Sequence, residues 1–307
     1  MTTTVAKEHV HRTSLADVFL TGCASGGPDT FTITAQWPRV HSFYRNDHGL
    51  YDPLMLCETI RQSLPFLMHT RYDVPIGHQL MWQRFRYSVD SRAMVIGRTP
   101  AELTLRVTCR NATYRRGLPA SLDLRYEVLR ENRLLAVAGT TFTCHTPAVY
   151  RRLRGERADM TAAFWDIPRP PAPLPPHECG SERERDVVLS PTERSGRWEL
   201  RSDIAHPILF DHPVDHVPGM LLLEAARQAA YATRPPGGAG WPASMDVSFL
   251  RYVEFGRPCQ VLAEPHDADG PAQTGGDGSR TLRVSAVQDG APAFEALLDV
   301  LDHPITP

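Results

Sequence analysis

The sequence has one lysine, Lys7, among 33 basic residues, so its positive charge is almost entirely arginine. Arginine's planar fork suits carboxylate and phosphate partners, although coding bias produces the same skew. Also missing is any run approaching the roughly 18 apolar residues of a membrane span, and the polar N-terminus has no secretory apolar core. A soluble, cytoplasmic protein with no membrane partner is expected. Charge of one sign is lacking too, since 33 Lys and Arg stand against 35 Asp and Glu. The formal net charge of −2 gives no global reason to expect nucleic-acid binding. The six cysteines, Cys23, Cys57, Cys109, Cys144, Cys179 and Cys259, are scattered without CxxC or His-x-Cys spacing. They read as reduced packing thiols and imply no metal site. Cys57 precedes Glu58, but neighbouring helical positions diverge by about 100°, so the two are not expected to share a task.

What is present is a stretch that organises the chain: Asp211-His-Pro-Val-Asp-His-Val-Pro-Gly-Met-Leu-Leu-Leu-Glu-Ala-Ala-Arg-Gln228. It reads as a polar loop with two histidines, His212 and His216, followed by a helix starting at Pro218-Gly219. Pro218 suits a first helical position, and Gly219 lets backbone approach a ligand closely. The free N–H groups of such a start favour an anion or a developing oxyanion. Glu224, Arg227 and Gln228 fall at i, i+3 and i+4 and share one face. Met220, Leu221, Leu222, Leu223, Ala225 and Ala226 fill the others, so the helix should be buried. Taken alone, the stripe also reads as a structural Glu–Arg pair with a hydrogen-bonding glutamine.

The pattern occurs twice. Asp52-Pro-Leu-Met-Leu-Cys-Glu-Thr-Ile-Arg-Gln62 repeats the helix, with Glu58, Arg61 and Gln62 in the same relative places. Upstream, Asp17-Val-Phe-Leu-Thr21 answers Asp186-Val-Val-Leu-Ser190, and His41 answers His206. Downstream, Phe85-Arg-Tyr87 answers Phe249-Leu-Arg-Tyr252. One module is used twice, and 307 residues leave room for two cores of about 130 residues each. The organisation read from this is an N-terminal module over 1–150, a proline-rich linker over 151–185 and a C-terminal module over 186–307.

The first helix should run from Asp52 towards His69, with Pro65 ending or kinking it. Strands are expected over Val18–Leu20 and Phe31–Gln36, with a turn-rich loop from Gly22 to Asp29 between them. After the helix the period changes to two, giving Gln79–Val89, Ala93–Arg98, Leu103–Tyr114, Ala120–Leu129 and Leu134–His145. In the second module the strands read Ser244–Glu254, Cys259–Pro265, Thr281–Gln288 and Phe294–Leu301. The glycine- and aspartate-rich stretch from Asp267 to Ser279 reads as a mobile surface loop. A long buried helix followed by a strand meander describes a sheet wrapped around a helix, the hotdog arrangement. The fold class is therefore α+β, a tandem hotdog with two long buried helices against one continuous antiparallel β-sheet.

These residues carry a resemblance. His212 to Gln228 is similar to the His, Pro-Gly, Glu-Ala, Gln signature of β-hydroxyacyl-ACP dehydratases, with the His-to-Glu spacing about two residues shorter. More closely, the whole chain resembles the A-factor synthase family, the tandem-hotdog proteins of γ-butyrolactone signal biosynthesis. The matching pieces are Val10-His-Arg12, Ala35-Gln-Trp-Pro-Arg-Val-His41, Asp52 to Gln62, Val74-Pro-Ile-Gly-His78 and Asp211 to Gln228. The resemblance implies transfer of a β-ketoacyl group from acyl carrier protein, or from acyl-CoA, to the hydroxyl of dihydroxyacetone phosphate. Its product closes to a butenolide and leads to butyrolactone, butenolide or furan signals. It implies no redox cofactor and no metal, docking of acyl carrier protein, and leaves association into a homodimer open.

On that reading Glu224, Glu58 or His212 serves as base, the glutamates being partly desolvated and so raised in pKa. Arg61, Arg227, Arg84 or Arg86 holds the triose phosphate. Gln62, Gln228, Gly219, Asp211 and His216 line the substrate, and His216 can equally organise its loop through Asp215 or Asp211. His41 and His206 read as structural. Arg84 and Arg86 alternate on one strand face, which suits solvent-facing charge as well. The first copy has Asp52-Pro53 in place of the Pro-Gly step, so the principal site is placed on Glu224 and Arg227. Two other classes share the helix: a dehydratase or thioesterase, separated by product analysis with and without dihydroxyacetone phosphate, and a non-catalytic ligand-binding regulator.

Overall fold

Asp52 closes the start of the first long helix, α1 (Pro53–Arg71). Its side chain accepts the Leu54 N–H at 2.8 Å, and Pro53 takes an opening position where an N–H would find no partner. Every residue from Pro53 to Met68 is buried except Arg61, as an all-round apolar helix requires. Each of Leu54, Met55, Leu56, Ile60 and Leu67 is fully enclosed, worth about 1.5–3 kcal/mol apiece. α1 runs through Pro65 instead of ending there. The ring removes one hydrogen bond of the ladder, and the enclosed packing of Leu64, Phe66, Leu67 and Met68 outweighs that loss.

The computed structural model describes residues 2–159, 167–266 and 279–304. The chain divides into two units, Met1–Ala158 and Asp159–Pro307. In the first, β1 (Leu20–Gly27), β2 (Thr30–Trp37), β3 (Gln79–Val89), β4 (Ala101–Arg115), β5 (Leu118–Arg130) and β6 (Arg133–His145) pair antiparallel in the order β1-β2-β4-β5-β6-β3. A short helix, α2 (Pro147–Arg154), follows with Thr146 as its cap. Along β3 the inward residues Phe85, Tyr87 and Val89 are buried, while Arg84, Arg86 and Ser88 face outwards.

The second unit repeats this plan with β7 (Leu189–Pro191), β8 (Arg197–Leu200), helix α3 (Gly219–Ala232), β9 (Trp241–Phe249), β10 (Cys259–Pro265), β11 (Ser279–Gln288) and β12 (Ala291–Leu301). Its order, β9-β12-β11-β10-β8-β7, is that of the first unit read in reverse, strand for strand. Each unit is a sheet around a buried helix, the tandem hotdog expected from the duplicated pattern. The segment before β7 packs into this unit: the Leu174 N–H bonds the Leu189 carbonyl at 2.9 Å, and Cys179 is fully buried.

Several expected elements differ: of Val18–Leu20 only Leu20 is in a strand, and the strand expected over Ser244–Glu254 ends at Phe249. Gly22 to Asp29 is not a loop: most of it is β1, an edge strand whose pairing to β2 needs no alternating core. Ala93 to Arg98 is not a strand: Ser91–Met94 forms a 3₁₀ turn capped by Asp90, with a single bridge from Leu50 to Val95. The Arg130 guanidinium occupies the Ala93 and Val95 carbonyls that a ladder would have used. The stretch 267–278, expected as a loop, lies outside the described residues. Among the described residues no helix is long and apolar enough to cross a membrane.

Candidate functional site: two polar clamps and one open helix start

On α1, helical spacing puts Glu58, Arg61 and Gln62 on one face, and the fold closes them into a network. Glu58 is 1 % exposed. Its Oε1 accepts from Arg12 Nε at 2.9 Å, Arg61 Nη2 at 2.8 Å and Gln62 Nε2 at 2.8 Å, while Oε2 accepts from Arg61 Nε at 2.7 Å. Gln62 also donates to the Asp17 carbonyl at 2.7 Å and accepts the Phe19 N–H at 2.9 Å, as a ladder partner would. Arg61 reaches the Val10 carbonyl at 3.3 Å. The stripe therefore fastens the chain entering β1 onto the buried helix. Asp17 in turn faces His41 Nε2 at 3.4 Å, and His41 Nδ1 accepts the N–H groups of Phe43 and Tyr44.

The second unit reproduces the clamp. Arg227 Nε and Nη2 donate to Glu224 at 2.8 and 2.6 Å, and Gln228 Nε2 donates to the same carboxylate at 2.6 Å. Gln228 holds the Asp186 carbonyl at 2.8 Å and the Val188 N–H at 2.9 Å. Asp186 faces His206 Nε2 at 3.3 Å, and His206 Nδ1 accepts from Ile208 and Leu209. Arg227 also reaches the Gly180 carbonyl. The first unit sets a second guanidinium, Arg12, on its glutamate; among the described residues Glu224 has only that of Arg227.

Electrostatics follow from this packing. Burial alone pushes the Glu58 carboxyl up, but Arg12 and Arg61 outweigh it and bring it down to about 2. The expectation of a raised Glu58 is therefore corrected: paired with two guanidiniums it is a permanent anion, poorly suited to take a substrate proton. Burial likewise acts to raise Asp17 and Asp186, but hydrogen bonds from His41 and His206 hold both below the ordinary carboxylate range. The Cys57 thiol is pushed well up by burial and donates to the Pro53 carbonyl, so it is no nucleophile.

The two units part company at the helix starts. α1 is closed by Asp52, whose second oxygen also accepts the Arg45 N–H at 3.3 Å. α3 has Pro218 at its cap position with no side chain on its first turn. Leu221 and Leu222 donate to the Pro218 carbonyl, whereas the N–H groups of Gly219 and Met220 make no hydrogen bond among the described residues. The loop leading there carries two His–Asp pairs. His216 Nδ1 lies 2.6 Å from Asp215 Oδ1, whereas His212 Nδ1 lies 3.4 Å from Asp211 Oδ2. His216 also meets the Tyr252 ring edge-on, with centroids 4.5 Å apart. The Val217 N–H bonds the Val253 carbonyl at 2.9 Å and ties the loop to the chain after β9.

Of the residues singled out from sequence, the fold joins Glu58 with Arg61 and Gln62, and Glu224 with Arg227 and Gln228. It also sets Asp211, His212 and His216 ahead of Gly219. Arg61 and Arg227 are committed to carboxylates. Arg84 and Arg86 stand exposed on the outer face of β3, away from the buried residues that alternate with them. Sequence reasoning missed Arg12 as partner of Glu58 and Tyr252 as partner of His216. The Val10-His-Arg12 piece and the Phe249-Leu-Arg-Tyr252 echo were the only signals for them. Among the described residues no group of three or more His, Cys, Asp and Glu side chains could hold a metal ion.

Two hotdog modules in tandem, with a loop of histidines before an uncapped helix, define the class, and the chain belongs to the A-factor biosynthesis hotdog family. That family's domain matches residues 1–146 and 165–299. A 2-oxo-3-(phosphooxy)propyl 3-oxoalkanoate synthase of Streptomyces virginiae is 44% identical over 97% of this chain and 98% of its own length. A protein of the same name from Streptomyces griseus is 40% identical over 96% of this chain and 94% of its own. Among solved structures, a putative oleoyl thioesterase from Lactobacillus plantarum matches with a TM-score of 0.53 at 10% identity, covering 90% of this chain and 98% of that one. This last likeness is one of fold alone.

Proposed function

We propose that the chain is an acyltransferase that moves a 3-oxoacyl group from a thioester carrier onto the hydroxyl of dihydroxyacetone phosphate. The product is the ester that its relatives are named for, a precursor of γ-butyrolactone-type signals. The observation that carries this is identity of 38–44% to synthases of that name over 93–97% of the chain. Acyl carrier protein is the donor we assign, and the cytoplasm the compartment.

The geometry suits the chemistry in the second unit. A thioester carbonyl placed before α3 would meet the N–H groups of Gly219 and Met220, with the positive end of the helix behind them. Preorganised donors of this kind are worth about 3–4 kcal/mol each to a developing oxyanion. α1 offers no such place, because the Asp52 carboxylate already fills it. The principal site is thus assigned to the start of α3 and the loop from Asp211 to Val217. Glu224, on the same helix, is held by Arg227 and Gln228, and Gln228 fastens the strand that follows Asp186. Arg84 and Arg86 stand exposed on β3 of the first unit and are not assigned to this site.

Mass spectrometry of the purified protein with a 3-oxoacyl carrier and dihydroxyacetone phosphate tests the reading. A phosphorylated ester, formed only when both substrates are present, is expected. Release of free 3-oxoacid irrespective of the triose phosphate would make the chain a thioesterase instead.

A further inference from the structure

We propose that His216 is the proton-transfer residue of the acyl transfer and that Asp215 is its positioning residue; this rests on the acyltransferase reading above. Asp215 is 3 % exposed and lies 2.6 Å from Nδ1 of His216. A buried carboxylate at that distance takes the Nδ1 proton as a hydrogen-bond donor and leaves Nε2 with its lone pair, the form a general base needs. Nε2 makes no hydrogen bond among the described residues. The edge-on Tyr252 ring packs against the imidazole, and the backbone bond from Val217 to Val253 anchors the loop that carries it. Its side chain is 28% exposed, so a substrate can reach it.

Position agrees with chemistry. Gly219 follows His216 by three residues, a span of at most about 10 Å, so one substrate can touch both the imidazole and the open helix start. The alternatives are weaker on geometry. His212 is 3.4 Å from Asp211 and 40% exposed, so its ring is loosely held. Both oxygens of Glu224 are taken by Arg227 and Gln228. In the first unit the residue three before Pro53 is Leu50, which carries no base.

The step balances. The hydroxyl oxygen of dihydroxyacetone phosphate attacks the thioester carbon while its proton passes to Nε2 of His216. A C–O bond forms, and the carbonyl pair moves onto the oxygen facing Gly219 and Met220. When the carbonyl re-forms the C–S bond breaks, and the imidazolium returns the proton to the leaving sulfur. No oxidant or reductant enters.

The test is steady-state kinetics of His216→Ala, His216→Gln and Asp215→Asn with 3-oxoacyl carrier protein and dihydroxyacetone phosphate. Both His216 variants should lose about 100-fold or more in kcat, with KM for each substrate moving less than about threefold. Imidazole added to the buffer should restore part of the His216→Ala rate. Asp215→Asn should lower kcat without raising KM, and the double variant should be no worse than His216→Ala, as for groups acting as a unit. If the wild-type protein makes ester and His216→Ala keeps kcat within about fivefold, the assignment is overturned while the acyltransferase reading stands. If the wild-type protein makes no ester, the underlying reading fails and the assignment falls with it.

Discussion

Replacing Glu58 by glutamine removes one negative charge from a fully enclosed site and leaves Arg12 and Arg61 beside a neutral amide. The size of the effect follows from the carboxyl itself. Its fall from an ordinary value of 4.5 to about 2 corresponds to about 3 kcal/mol of preference for the folded state at neutral pH. Stranding one side of a buried ion pair costs about 3–5 kcal/mol, in line with this. Urea unfolding followed by fluorescence should therefore show the first unit of Glu58→Gln weakened by about 3–5 kcal/mol at pH 7. The sign with pH is fixed. The folded value lies below the unfolded one, so the stabilisation is complete above about pH 5 and is lost as pH falls towards 2. The gap between wild type and variant should narrow steadily from pH 5 to about pH 3. A variant within about 1 kcal/mol of wild type at pH 7, or a gap that ignores pH, would refute the clamp.

Gln228→Leu removes the partner of the Asp186 carbonyl and of the Val188 N–H together. Two orphaned backbone groups should cost about 2–5 kcal/mol, read by thermal unfolding, and amide exchange at Val188 should speed up; unchanged exchange would sink the idea. Iodoacetamide at pH 8 should label Cys23 of the folded protein first, since it alone of the six is partly exposed, and should spare Cys57. Early modification at Cys57, read by peptide mass mapping, would show that α1 opens more easily than its burial implies.

Much of the fold could be read from residues alone because it is written in short-range periodicity. The change from a 3.6-residue to a two-residue period after α1 located β3, and Cys259–Pro265 was read with both of its ends. Where reading failed, local chemistry was overruled by a distant partner. Pro65 should break a helix, and enclosure by the sheet holds it. Gly22 to Gly27 reads as a loop, and its pairing with β2 makes it a strand. The site was legible as residues and not as roles. The stripes of Glu, Arg and Gln were found, yet they act as clamps on the strands that follow Asp17 and Asp186.

The duplication, the two buried helices and the polar stripe on each were determined by the sequence itself, because spacing on a helix dictates which side chains share a face. What stands opposite that face is another matter. Arg12 meets Glu58 from 46 positions away, and Tyr252 meets His216 from the far end of β9. Only the closed fold could decide that Glu58 is a sealed anion, that Asp52 shuts one helix start while α3 stays open, and that Asp215 grips its histidine more tightly than Asp211 does. Charge and hydrogen bonding act across space, over distances of a few ångströms that chain order does not encode.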